Sequence, residues 1–170
     1  MDRNLALSII GPRQAVLVTC QGKMAVGSAT RQATDIHPVT SHMLVSAEPF
    51  VYAIALDKDV GATEIIRHTG VFAINFVPAR FARIVDRLMN HPLKEDKVEI
   101  SGLDIKPCEK IDGFRLADVA GYLECEVMDR FDYGDREMII GRVVAGAESE
   151  KHDRLSHDIE HGFGRMRHDG

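Results

Sequence analysis

The 170-residue chain has no tryptophan, only three cysteines and six prolines. Cys20, Cys108 and Cys125 are an odd set with no CxxC pair, which argues against a disulfide framework and a four-thiolate zinc site. A reducing cytoplasm suits such thiols. No apolar run approaches the ~20 residues needed to span a bilayer. The N-terminal MDRNLALSIIGPR has an early Arg3, but its apolar stretch is broken by Gly11 and Pro12, unlike a signal peptide. There is no basic stripe: 21 Lys and Arg are scattered among 26 Asp and Glu, net charge −5, so nucleic acid is not the expected partner. The chain also lacks GxxxxGK[ST], a GxGxxG after a strand and GxSxG, which disfavours P-loop hydrolysis, a Rossmann dehydrogenase and an α/β-hydrolase. A small-molecule or protein partner is left as the default.

What is present is mostly β-type pattern. Gln14 to Cys20 is a short strand run followed by a turn-like Gln21-Gly22-Lys23, and Met24 to Thr34 suits an edge segment or hairpin return. Phe50 to Leu56 and Val71 to Val77 read as buried strands. Between them, Asp59 to Thr69 changes period and ends at Gly70, as a short helix does. Phe81, Ile84, Val85, Leu88 and Met89 fall on one face of a covering helix over 79–90. Val119 to Phe131 alternates, with Leu123, Cys125 and Val127 on a core face and Glu124, Glu126 and Arg130 toward water. Tyr133-Gly134-Asp135 turns it into an antiparallel partner over Glu137 to Ala145. Six or seven strands against two short helices, without β-α alternation, predict a mainly β (α+β) single domain over 1–170. The expected architecture is an antiparallel split or closed β-barrel with flanking helices.

Two stretches carry candidate chemistry. The tail from Glu148 is polar and holds His152, His157, His161 and His168; His157 and His161 are four apart, yet HDIEH is not HExxH and glycines follow, so no metal site is assigned. The other stretch is HPVTSHMLVSAEPFVYAIAL, residues 37 to 56. Thr40, Ser41, His42 and Ser46 cluster just before a core strand, bracketed by Pro38 and Pro49. They could cradle a phosphate or a flat polar ring, or simply form the exposed end of a strand.

Taken together, VLVTC (16–20), DIHPVTSHMLVSAEPFVYAIAL (35–56), EIIRHTGVFAINF (64–76), YLECEV (122–127) and GDREMIIGRVV (134–144) resemble the flavin reductase-like, flavoredoxin-like family of FMN-binding split barrels. The resemblance covers about residues 10–147 and leaves 148–170 as a tail. It implies a homodimer that binds FMN near the subunit interface and, in catalytic members, takes hydride from NADH or NADPH. Electrons then pass to an acceptor, which can be a protein. It further implies that Val39, Thr40, Ser41, His42 and Ser46 line the flavin, with Lys58 and Thr63 as phosphate candidates. No side chain is singled out as a general acid or base, because the cofactor carries the redox chemistry. The chain departs from the family's usual pattern at Asp35, Pro38 and Ser41, and Arg136 stands where Gly-Asp-His is common. The alternative expectation is therefore a non-catalytic flavin-binding module or electron carrier, and a weaker third one is a barrel that has lost flavin.

Overall fold

A computed structural model describes residues 2–26, 28–90, 97–149, 153–158 and 162–165. In chain order the elements are α1 (Arg3–Ile9), β1 (Arg13–Gln14), β2 (Val16–Val26), β3 (Ala29–Val39), β4 (His42–Ala47), β5 (Phe50–Asp57), α2 (Gly61–Thr69) and β6 (Val71–Phe76). A 3₁₀ turn (Ala79–Phe81) leads into α3 (Ala82–Met89), followed by α4 (Lys97–Ser101), β7 (Ile105–Pro107), β8 (Phe114–Leu116), β9 (Gly121–Tyr133), β10 (Arg136–Glu148), β11 (Leu155–Asp158) and β12 (Gly162–Arg165). Seven strands form one antiparallel sheet in the order β3-β2-β6-β9-β10-β5-β4. The sheet curls until β3 meets β5 again, but β3 and β4 are not ladder partners. The result is a barrel split along one seam.

Alternation along β2 explains the two cores. Val16, Val18 and Cys20 point into the barrel with Ile54, Leu56, Phe72, Ile74 and Ile139. Ala15 and Leu17 point outward and pack with Phe81, Val85 and Leu88 of the 3₁₀–α3 segment, with Leu116 and with Leu155. Asn75, fully buried, joins the layers: its Nδ2 donates to the carbonyl of Leu17 at 3.0 Å, and its Oδ1 accepts the Leu116 amide at 2.8 Å. Each apolar side chain of this kind contributes about 1.5–3 kcal/mol by leaving water.

Four expectations change. Gln21-Gly22-Lys23 is not a turn, because β2 runs through it to Val26. Gly22 is there because α2 passes close by, and a Cβ on it would stand 2.3 Å from Thr69 Cγ2. Glu124 does not face water: it is fully buried and accepts the amides of Glu109 and Lys110 at 2.8 and 2.7 Å, holding the loop that covers that face. On α3, Val85 and Leu88 are buried, whereas Met89 is half exposed. The tail is also more than a polar appendage. Fully buried Leu155 anchors β11, which pairs with β1 and with β12 as a three-stranded sheet. His152, His161 and His168 lie outside the described residues.

By contrast, the short helix is where the periodicity puts it. Gly70 closes α2 at φ 71°, with its N–H on the Ile66 carbonyl.

Candidate functional site

The seam of the barrel is where the chain leaves β3 at Val39 and enters β4 at His42. Because Thr40 and Ser41 sit between the strands, their backbone is not all drawn into a ladder; the Ser41 carbonyl accepts the Ala55 amide at 2.8 Å. Two adjoining cavities open along this seam. One, of about 510 Å³, is lined by Gln14, Thr40, Ser41, His42, Tyr52 and Met138 among others. The second, of about 650 Å³, is lined on one side by His37, Val39, Thr40 and Ser41, and on the other by Asp57, Arg136, Lys97, His157 and Met89. Both include Arg13, Thr40, Ser41 and Ala55. Such volumes are those of small-molecule sites.

The wall of the smaller cavity is a fixed hydrogen-bonded chain. His42 Nε2 lies 3.0 Å from the Gln14 carbonyl, which can only accept, so this nitrogen carries the proton. Nδ1 then accepts the Tyr52 hydroxyl at 2.8 Å. Burial holds His42 below the ordinary imidazole range and pushes the Tyr52 phenol up, so both groups are neutral and the chain is self-consistent. Tyr52 and Phe76 pack as neighbouring rings behind it.

The wall of the larger cavity is charged but largely self-compensated. Asp35 and Lys97 form a buried pair at 3.0 Å, with side chains 7% and 4% exposed. The other Asp35 oxygen faces the start of α2, where a Cβ on Gly61 would come within 3.0 Å of it. Asp35 thus lies close to the start of α2, where a carboxylate is favourable. Arg136 is held by Asp57 at 3.1 Å. His37 lies between these groups with its buried Nδ1 unpartnered, and burial first, then Lys97, lowers it to about 4. Among the described residues no cluster of three or more His, Cys, Asp or Glu side chains could hold a metal.

The residues expected from the sequence separate into two groups. Val39, Thr40, Ser41 and His42 come together at the seam. Ser46 sits further along β4, beside a register shift between Leu44 and Ser46, and lines neither cavity. Lys58 also lies outside both; its Nζ is 3.6 Å from the Asp132 carboxylate. Thr63 lines neither cavity: it is fully buried, and its hydroxyl donates to the Asp57 carbonyl at 2.7 Å, bridging the turn into α2. Arg13, Lys97 and His157 had no comparable signal. Arg13 belongs to a two-residue strand, Lys97 to a charged stretch without period, and His157 reaches the site only because β11 pairs with β1.

Solved structures with the same fold give that geometry a context. The chain superposes on Streptomyces globisporus C-1027 NADH:FAD oxidoreductase SgcE6, solved with NAD and FAD fragments, at 19% identity and TM-score 0.80, covering 99% of this chain and 95% of that one. Nitrilotriacetate monooxygenase component B from Bacillus cereus matches at 18% identity and TM-score 0.82 over 98% and 90% of the two chains. An FMN-binding protein from Thermus thermophilus, with bound 1-cyclohex-2-enone, matches at 18% and TM-score 0.76 over 93% and 88%. An uncharacterised protein of Pyrococcus abyssi is 24% identical over 108 residues, and the match spans 64% of this chain and 62% of that relative's length. The flavin reductase like domain model matches residues 11–164, nearly the whole chain, so the chain belongs to the flavin reductase like family.

Proposed function

We propose that this chain is an oxidoreductase of the flavin reductase type that binds FMN at the seam. It takes hydride from NADH or NADPH and passes electrons to an acceptor, which can be a second protein. The observation that carries this reading is the pair of adjoining cavities sharing Arg13, Thr40, Ser41 and Ala55 in a chain of that family. The residues suit the cofactor. Ala55, Ile54 and Met138 give an apolar floor for a flat ring, Thr40 and Ser41 give hydroxyls, and Tyr52 and His42 give a rigid neutral wall. When bound, flavin supplies the hydride and electron chemistry. The protein's part is then to hold and orient two nucleotides and to exclude water.

Val39, Thr40, Ser41 and His42 are the ring-facing residues in this reading, while Ser46, Lys58 and Thr63 lie outside the cavities. A homodimer fits as well, because β4 presents Met43, Leu44 and Val45, all about half exposed, on an unpaired sheet edge. The three cysteines are unpaired, as a reducing cytoplasm would leave them.

Addition of NADH or NADPH to the FMN-loaded protein under anaerobic conditions tests the reading. Rapid, catalytic bleaching of the flavin absorbance is expected. Uptake of FMN without bleaching would favour the electron-carrier alternative, and a protein that takes up no flavin would remove both.

A further inference from the structure

The cations around the two cavities are not equivalent. Lys97 is neutralised by Asp35 at 3.0 Å, and Arg136 is held by Asp57 at 3.1 Å. Lys58, outside the cavities, faces Asp132. Arg13 differs from all of these. Among the described residues it has no carboxylate within ion-pair distance, and its side-chain bond is a long one, 3.4 Å to the Ser41 hydroxyl. Among the described residues it is also the one charged side chain that lines both cavities. The exposed Asp135 stands on the rim of the larger one.

The start of α2 would be the other place for a phosphate. There the Asp35 carboxylate lies close by, 3.0 Å from where a Cβ on Gly61 would stand, and the Thr63 hydroxyl is already donated to the Asp57 carbonyl. An anion there would sit against the already balanced Asp35–Lys97 pair, whereas at Arg13 it would meet a guanidinium with no carboxylate partner among the described residues, whose planar fork suits a phosphate. The backbone under Arg13 is fixed, because β1 pairs with β11 and sets His157 directly opposite Arg13. His157 lines the larger cavity too, with its ring 4.6 Å from that of Phe163.

Resting on the flavin reading above, we propose that Arg13 is the phosphate-binding residue of this site. It holds a nucleotide phosphate at the junction of the two cavities, with the β11–β12 hairpin as the wall that keeps it in place. The sequence-based phosphate candidates, Lys58 and Thr63, are thereby replaced by a residue from the opposite side of the seam.

Equilibrium titration of the wild-type protein, Arg13→Gln and Arg13→Lys with FMN, riboflavin and NAD⁺ tests this, with thermal unfolding followed on each variant. If the phosphate is the flavin's, Arg13→Gln weakens FMN about 10- to 100-fold, leaves riboflavin within about twofold, and Arg13→Lys recovers most of the loss. Loss confined to NAD⁺, again recovered by lysine, assigns Arg13 to the nicotinamide nucleotide's diphosphate. Equal loss of FMN and riboflavin, or no change for either nucleotide, overturns the proposal while the flavin reading stands. A wild-type protein that takes up neither flavin removes that reading and this one together.

Discussion

Glu137 and Asp35 are both carboxylates sealed into the barrel wall, and they are sealed in differently. Glu137, side chain 4% exposed, is met by Arg67 Nε at 2.6 Å and by Arg130 at 3.8 Å, two arginines that are themselves 40% and 42% exposed. Asp35, 7% exposed, is met by Lys97, 4% exposed. In the first arrangement water reaches the cations, and two of them share one anion. In the second, both charges have left water, and their mutual attraction is the main offset to the desolvation. The first is a strap between α2 and the β9–β10 hairpin. The second is the floor of a binding cavity, where the chain has placed charge and then cancelled it.

Lys97→Ala breaks this comparison hardest. It leaves Asp35 buried without a counter-charge, and a loss of about 3–5 kcal/mol is expected in urea unfolding. Replacing both partners with apolar residues of similar size, Asp35→Leu with Lys97→Met, recovers most of the loss, because the cost lies in the unpaired charge. A double variant no better than Lys97→Ala would mean that Asp35 is needed for its contact with α2 and not as half of a pair.

Acid should find the same region next. His37 titrates near its ordinary value of 6.5 when unfolded, but burial and Lys97 hold it to about 4 in the fold, where Asp35 and Asp57 pull upward and Arg136 downward. Between those pH values the unfolded chain binds more protons, so stability rises with pH. It is fully present above about pH 6.5 and falls as pH drops toward 4, by about 2–3 kcal/mol. Chemical denaturation at pH 7.5 and 4.5 measures the drop, and His37→Gln flattens it. An unchanged pH slope in that variant would place the acid sensitivity elsewhere, His42 being the next candidate because burial lowers it as well.

At the strap the effect is smaller. Arg67→Ala leaves Glu137 with Arg130 and with nearby solvent, so about 1–2 kcal/mol is expected. If this variant cost as much as Lys97→Ala, the distinction between a wet and a dry ion pair in this barrel would fail.

The sequence made the strap's elements legible but not the cavity's charges, and the reason is range. The periods of β5, β6, α2 and α3 are local, so each could be read within a dozen residues, and Gly70 announced its own helix end. The stretch around Thr40 to His42 stood out because hydroxyls and an imidazole precede a core strand. Pairings such as Asp35 with Lys97, or Arg13 opposite His157, join residues far apart in the chain and leave no period. Gly22 and Glu124 were misread for a related reason: a glycine resembles a turn until a helix is found against it, and a glutamate resembles surface until two amides are found on it.

Lys58 gives the smallest effect and the cleanest check on where the phosphate goes. By residue type alone it is a good anion ligand, a lysine just before a helix. In the fold its Nζ lies 3.6 Å from Asp132, on the strap side, and it touches neither cavity. A partly exposed pair of this kind contributes about 0–1 kcal/mol. Lys58→Ala should therefore leave stability within about 0.5 kcal/mol and FMN affinity within about twofold, measured by the flavin titration used for Arg13. A tenfold loss of FMN but not of riboflavin would move the phosphate back toward α2, and the charge cancelled at Asp35 would then need another explanation.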